Sequence, residues 1–303
     1  ITGFDTRTIS CSNADAAGSA YNDGWQTNDA DGGGFGPWTL VATSNAGHFT
    51  ASSAGNGDGD TNSDGDIDTG GRAWGMFANS GGEAVAIRDF NNPMDIGHTF
   101  SLSMDNGFVD GAVGFRLRNI NNQEVLRFYF EGGDANYTLL DGNGEQDTGV
   151  PYTDEGLNIA ITLTGSGLFD IQITPLESGT VTTLSGTFIN TTATNTIHSL
   201  SAFNQNAGFN APANLYFNNF EICRPPTCII SDIQARSQTV CNPVDNTYSQ
   251  WVTVFLANDP PGPINTQISV NGVTEQFSSF NSFDTVLIQL TGLISDGQDV
   301  DVT

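Results

Sequence analysis

Asp58, Asp60, Asn62, Asp64, Asp66 and Asp68 place a side-chain oxygen at every second position, six times in succession. Groups of this kind repel one another and resist burial. A hard cation resolves both problems, because Ca²⁺ takes six to eight oxygen ligands. The run therefore predicts a calcium site built from these six residues. Its alternative reading is a solvated acidic loop.

Read from Asp60, the run has the internal order of a calcium loop and resembles the loops of EF-hands and dockerins. Asp60, Asn62 and Asp64 take positions 1, 3 and 5, and Gly65 takes position 6, where such a loop turns. Asp66 supplies a carbonyl at position 7, Ile67 the apolar position 8, and Asp68 position 9. Position 12 is Gly71 where an acid is expected, so the site needs a carboxylate from elsewhere or water. Asp154 and Glu155 are candidates for it.

Other reactive residue types are present without their contexts. Asp68, Thr69, Gly70 and Asp147, Thr148, Gly149 form two Asp-Thr-Gly triplets, as in aspartic proteases, whose paired carboxylates share a proton. Here neither aspartate follows an apolar strand, and Gly71 and Val150 stand where Ser or Thr is expected. Chance repetition in a chain rich in all three residues is the better reading. Glu131 with Asp134, and Asp154 with Glu155, are acid pairs by proximity alone, without the carboxyl spacing on one strand that glycosidases use. His48, His98 and His198 are scattered, with no nucleophile signature beside them. The chain reads as non-catalytic.

A sugar platform needs an exposed aromatic ring. Trp38, Trp74 and Trp251 read as core. Trp25, set between Gly24 and Gln26 in a polar stretch, is the tryptophan expected at the surface.

The net charge is −26, from 34 acids and 8 bases, and all eight bases are arginine. Nucleic acid and anionic membrane need a basic footprint and are poor partners for such a surface. Cations, neutral polysaccharide and other surface proteins fit it. No apolar run is long enough to insert in a membrane. With 37% hydrophobic residues and 20 Phe the chain can bury a large core. Cys11, Cys223, Cys228 and Cys241 lack zinc-site spacing and point to disulfides in an oxidising, extracellular compartment. Of the three pairings four cysteines allow, Cys11 with Cys223 and Cys228 with Cys241 is the one expected. The pattern at the C-terminal end reads as the middle of a strand, so the segment is expected to belong to a longer chain.

The elements that position these residues are strands. Between 112 and 118, Val113, Phe115 and Leu117 alternate with Arg116 and Arg118, and 125–130 follows after a short turn, as in a hairpin. Residues 157–163 and 169–173 flank Gly165 and Gly167 as a second hairpin. Strands are further expected over 180–188, 197–203 and 215–222. No segment sustains a helical apolar period. The fold class is therefore all-β, a jelly-roll or concanavalin-like β-sandwich. Pro225 and Pro226 break it. Residues 1–223 form the calcium-binding sandwich, 224–227 a Pro-rich linker, and 228–303 an immunoglobulin-like β-sandwich incomplete at its C-terminus. Strands are expected there at 229–235, 248–257, 266–270 and 286–290, with Asn271 and Gly272 as a hairpin signal.

The texture is that of a known group. Asn22 to Trp25, Gly34 to Leu40, Asp66 to Trp74 and Met104 to Phe108 resemble a module of large secreted surface proteins of Bacteroidota. The stretch 214–222 looks like the last strand of jelly-roll carbohydrate-binding modules, and 241–249 with 290–298 is similar to immunoglobulin-like repeats of the same giant proteins. That resemblance implies type IX secretion and a role in adhesion or surface-layer building. The function expected is an extracellular, calcium-stabilised adhesin or fibre segment that binds a glycan or a surface protein. The alternatives are a carbohydrate-binding module of a secreted polysaccharide-degrading enzyme, or a self-associating filament subunit.

Overall fold

The computed structural model describes residues 10–54, 67–189, 197–224, 229–257, 264–270, 273–280 and 285–294. The chain divides into two compact units, one spanning Cys11–Arg224 and one containing Pro225–Thr303. The first unit carries strands β1 (Ser10–Ala14), β2 (Phe35–Ala42), β3 (Ala46–Ala51), β4 (Ala73–Ala78) and β5 (Glu83–Met94). It continues with β6 (Thr99–Asp105), β7 (Ala112–Asn119), β8 (Glu124–Glu131), β9 (Asn136–Asp141) and β10 (Gly144–Pro151). Then follow β11 (Leu157–Gly165), β12 (Leu168–Pro175), β13 (Thr182–Thr187), β14 (Ile197–Gln205) and β15 (Leu215–Arg224).

These strands build two sheets. One has eight strands in the order β13-β12-β11-β6-β15-β4-β3, with β1 added on β15; the other has seven, β10-β9-β8-β7-β14-β5-β2. The all-β sandwich read from the sequence is what forms. Alternation explains which side of each strand is buried. Leu157, Ile159, Ile161 and Leu163 of β11 point inward with Phe100, Leu102 and Met104 of β6. Val113, Phe115 and Leu117 of β7 and Leu126, Phe128 and Phe130 of β8 meet them from the other sheet as one continuous core. Rings cross between the sheets: Trp38 of β2 lies 5.2 Å from Trp74 of β4, and Phe90 of β5 lies 5.2 Å from Phe100 of β6.

Both expected hairpins form. Val113 pairs with Phe130 and Leu117 with Leu126, and Leu157 pairs with Pro175 through Leu163 with Phe169. The middle of each sheet is non-local, since β15 lies between β6 and β4, and β14 between β7 and β5. A disulfide joins Cys11 on β1 to Cys223 on β15.

The second unit has β16 (Ile229–Gln238), β17 (Thr247–Ala257), β18 (Ile264–Val270), β19 (Val273–Phe280) and β20 (Thr285–Ile294). They form a three-stranded sheet β16-β17-β20 and a two-stranded one, β18-β19. Strand β19, not expected from the sequence, pairs Val273 with Val270; the hairpin signal at Asn271 and Gly272 lies outside the described residues. Cys241 is a free thiol whose Sγ contacts Asn246 Oδ1 at 3.3 Å, which corrects the expected Cys228–Cys241 bridge. Cys228 itself lies outside the described residues.

Candidate functional site

Of the six oxygen-bearing residues expected to hold calcium, Asp58, Asp60, Asn62, Asp64 and Asp66 lie outside the described residues. The foot of their loop is described. Ile67 is buried, and its N–H donates to Ser53 Oγ at 3.2 Å. Asp68 Oδ1 accepts the Ser53 N–H at 2.9 Å, which fixes one carboxylate oxygen against the backbone. Beyond it, Thr69 and Arg72 exchange both backbone hydrogen bonds around Gly70 and Gly71, at φ 58° and 75°. That is a two-residue turn of the left-handed kind, which glycine fits. It explains why Gly71 stands where a calcium loop would carry an acid.

A bulge in β15 clamps this foot. The register shifts between Asn218 and Glu221, and Asn219 takes φ 54°. Asn218 Nδ2 donates to the carbonyls of Ile67 (2.8 Å) and Arg72 (3.0 Å), while its Oδ1 accepts the Ala16 N–H at 2.9 Å. Asn219 Nδ2 donates to Ile67 O at 3.1 Å and to Ser103 Oγ at 3.3 Å, and Asn219 Oδ1 accepts from Thr69 Oγ1 at 2.8 Å.

The tryptophan expected at the surface is in the core. Trp25 is 5% exposed, T-stacked on Trp38 at 4.9 Å and on His48 at 5.2 Å. It is not a ligand platform. Its polar neighbours are exposed while the one ring points inward, and a loop without periodicity gives no sign of that. Around it lies a cluster that sequence reasoning missed, centred on fully buried Arg88. The Arg88 guanidinium lies 5.1 Å from the Phe35 ring, 5.0 Å from Trp38 and 5.6 Å from Trp74. Its Nε donates to Gly36 O at 3.0 Å and its Nη2 to Asp31 O. Burial lowers its pKa, but an arginine stays charged. Among the described residues the exposed aromatic rings are phenylalanines, Phe108 and Phe209, on the loops after β6 and β14.

The two Asp-Thr-Gly triplets do not come together as an acid pair. Asp68 adjoins the eight-stranded sheet at the turn before β4, and Asp147 sits on β10, at the edge of the seven-stranded sheet. Asp147 accepts both oxygens' worth of hydrogen bonds from Asn136 Nδ2, at 2.9 and 3.0 Å, and one from Gly149 N–H. These bonds hold its carboxyl below the usual range, and the triplet serves as a turn. His48 Nε2 lies 3.1 Å from Val85 O, so it carries the proton there, and burial lowers the His48 pKa. Cys11, Glu221 and Cys223 lie close enough to hold an ion, but the disulfide leaves no thiolate to ligate one.

Among the described residues, the recesses of the outward faces include two of note. The larger, about 430 Å³, lies on the eight-stranded sheet. Cross-strand partners line it: Ser103, Asn158 and Thr174 in one row, and Glu221, Ser101, Ala160 and Gln172 in the next. Asn13, Asp15 and Asn219 close it at one side. Ser103 Oγ donates to Asn158 Oδ1 at 2.7 Å, which orients that amide. The smaller, about 330 Å³, lies on the seven-stranded sheet beside Thr39, Ile87, Asp89, His198 and Ser199.

No protein-family model matches the sequence, and no curated protein matches it. Solved structures resemble the chain in part. A protein of unknown function from Shewanella oneidensis is 12% identical, with 74% of this chain and 90% of that one covered and a TM-score of 0.38. Lectin II from Ulex europaeus is 11% identical over 61% of this chain and 97% of its own, at 0.34. A family 11 carbohydrate-binding module from Clostridium thermocellum, in complex with a mixed-linked tetrasaccharide, is 10% identical over 61% and 87%, at 0.28. No ligand is drawn from likenesses at this level.

Proposed function

We propose that this protein is a non-catalytic, extracellular binding module, an adhesin or fibre segment, whose groove on the eight-stranded sheet takes a neutral polysaccharide. The observation that carries the reading is the groove's lining. Asn158, Gln172, Asn219, Ser101, Ser103 and Thr174 present amides and hydroxyls from four neighbouring strands. Amides and hydroxyls both donate and accept, which is what sugar hydroxyls require. Ala160 leaves a low, apolar floor between Ser101 and Gln172 for a ring to lie on. The volume falls within the range of small-ligand sites, about 300–1,000 Å³. A net charge of −26 also favours a neutral partner. The disulfide is consistent with an oxidising compartment.

Calcium belongs to the same reading. The alternating oxygens of 58–68 would take it, and Asn219 reaches from the loop foot into the groove. Calcium would then order the loop and hold one wall of the ligand site.

The test is a glycan array followed by titration calorimetry with neutral oligosaccharides in calcium buffer. Asn158→Ala and Gln172→Ala together are expected to weaken binding about tenfold, the range for two or three lost hydrogen bonds. A folded wild-type protein that binds no neutral glycan, or a double variant that binds as well as wild type, would reject the reading.

A further inference from the structure

The groove on the eight-stranded sheet runs across β15, β6, β11 and β12, with a row of outward side chains on either side. Ser103, Asn158 and Thr174 are cross-strand partners in one row. Asn219 extends that row on the β15 side, where its Nδ2 donates to Ser103 Oγ at 3.3 Å. Glu221, Ser101, Ala160 and Gln172 are partners in the other row. Between the rows the floor is the backbone at Leu102, Ile159 and Phe220, whose side chains are buried in the core. Asn158, Gln172 and Asn219 are exposed, and the recess beside them holds about 430 Å³.

A sheet sets two repeats in such a groove. Neighbouring strands lie about 4.8 Å apart, and residues two apart on one strand lie about 6.8 Å apart. An extended β-1,4-linked pyranose chain advances roughly 5 Å per ring, which is close to one strand per ring. Its ring faces are the less polar surfaces, and its equatorial hydroxyls lie along two edges. Laid across the strands, the chain puts one ring over each strand and one edge against each row. Successive rings are turned over, so the edge that meets a given row alternates. Serine, threonine, asparagine and glutamine both donate and accept, and so meet either edge. An α-1,4-linked chain coils and leaves a straight row within a few rings.

Resting on the neutral-polysaccharide reading of this groove, we propose that its ligand is an extended β-1,4-linked chain, held as four consecutive rings, one over each of β15, β6, β11 and β12. Each strand offers a residue to either edge of its ring: Ser103 and Ser101 on β6, Thr174 and Gln172 on β12. On β11 the pair is Asn158 and Ala160, and the short Ala160 side chain leaves the path open at mid-groove. Asp15 and Glu221 both line the β15 end, where they accept from hydroxyls and repel an anionic sugar. An extended peptide pairs with an open sheet edge, whereas β6 and β11 are laddered on both sides. The ligand is therefore read by side chains.

The experiment titrates the wild-type protein calorimetrically in calcium buffer with β-1,4-linked oligomers of glucose, mannose, xylose and N-acetylglucosamine, two to six rings long. Oligomers of α-1,4-linked glucose of the same lengths are the control. Affinity for the tightest β-1,4 series is expected to rise about threefold or more with each ring up to the tetramer, the range of one net hydrogen bond per step, and to level off beyond it. The α-linked oligomers are expected to bind about tenfold more weakly or worse at equal length. Ala160→Leu, which fills the path at mid-groove, is expected to cut tetramer affinity by about tenfold. Thermal melts report whether that variant is folded, and the length and linkage comparisons need only the wild type. Equal binding of α-linked chains, an affinity already complete at the dimer, or tetramer binding unchanged in folded Ala160→Leu would each overturn the proposal and leave the neutral-glycan reading standing. Binding of none of the β-1,4 series would also overturn it, and the glycan array then decides the neutral-glycan reading by itself.

Discussion

Arg88 shows how one residue can hold two layers together. It is a buried cation whose side chain donates to the carbonyls of Gly36 and Asp31, under three aromatic rings. Removing it leaves those carbonyls unpaired and empties the centre of the cluster. Arg88→Met is expected to destabilise the first unit by about 3 kcal/mol or more, from two unsatisfied acceptors and lost cation–π contact. Lysine cannot replace the planar fork, so Arg88→Lys should lose most of the same stability. Urea unfolding of both variants measures this, and wild-type midpoints would refute it. His48 makes a second case. Burial lowers its pKa below 6.5, so the unfolded chain binds the proton more readily than the fold does. Above pH 6.5 both states are neutral and pH has little effect through this group. Below it, stability falls until the folded pKa is passed. Melts of wild type and His48→Gln from pH 7.5 downward should diverge in slope below 6.5, with the variant flatter. Parallel curves would remove His48 from the account.

At the scale of elements, β1 depends on the disulfide. It is five residues long, lies off the main path of its sheet, and is joined to β15 by Cys11–Cys223. The bridge closes a loop of 212 residues, so it restricts almost the whole unfolded first unit. Replacing both cysteines with serine is expected to cost about 2–5 kcal/mol. Hydrogen exchange should show β1 released first, and full protection of β1 in the reduced protein would contradict this. The bulge in β15 is the other telling element. A regular strand would alternate Asn218 and Asn219 between core and solvent, and the inserted residue instead lets both amides hold the loop foot. Asn218→Ala is therefore expected to loosen residues 67–72, where it holds two carbonyls and one N–H.

For the whole molecule, charge sets the behaviour. A net charge of −26 draws cations to the surface, and the acidic run at 58–68 is where we propose that calcium binds. If calcium occupies it at about 100 times its dissociation constant, chelation removes about 2.7 kcal/mol. That corresponds to a fall of ~5 °C or more in the melting temperature of the first unit. Calorimetry with calcium against EDTA measures it, alongside metal content by mass spectrometry, and an unchanged melt with no bound metal would reject the site. Because Asn219 links the loop foot to the groove, EDTA should also weaken neutral-glycan binding.

The strand content, the hairpins at 112–130 and 157–173, and the inward face of each strand are written in alternation and turn residues. Those are local properties, with a period of two and a glycine or asparagine at the bend. Composition likewise set the charge and the poor fit to nucleic acid. The tertiary structure decided what depends on partners distant in sequence. It placed β15 between β6 and β4, and so brought Glu221, Ser101, Ala160 and Gln172 into one groove from strands spread over 120 residues of chain. It turned Trp25 inward against Trp38 and His48 although its neighbours in sequence are polar and exposed. It set Arg116 opposite Arg127 and beside Ser201, a meeting of three strands that no local pattern specifies. A sheet's side-chain period is fixed within each strand, but which strands lie side by side is settled only when the two apolar faces close on each other.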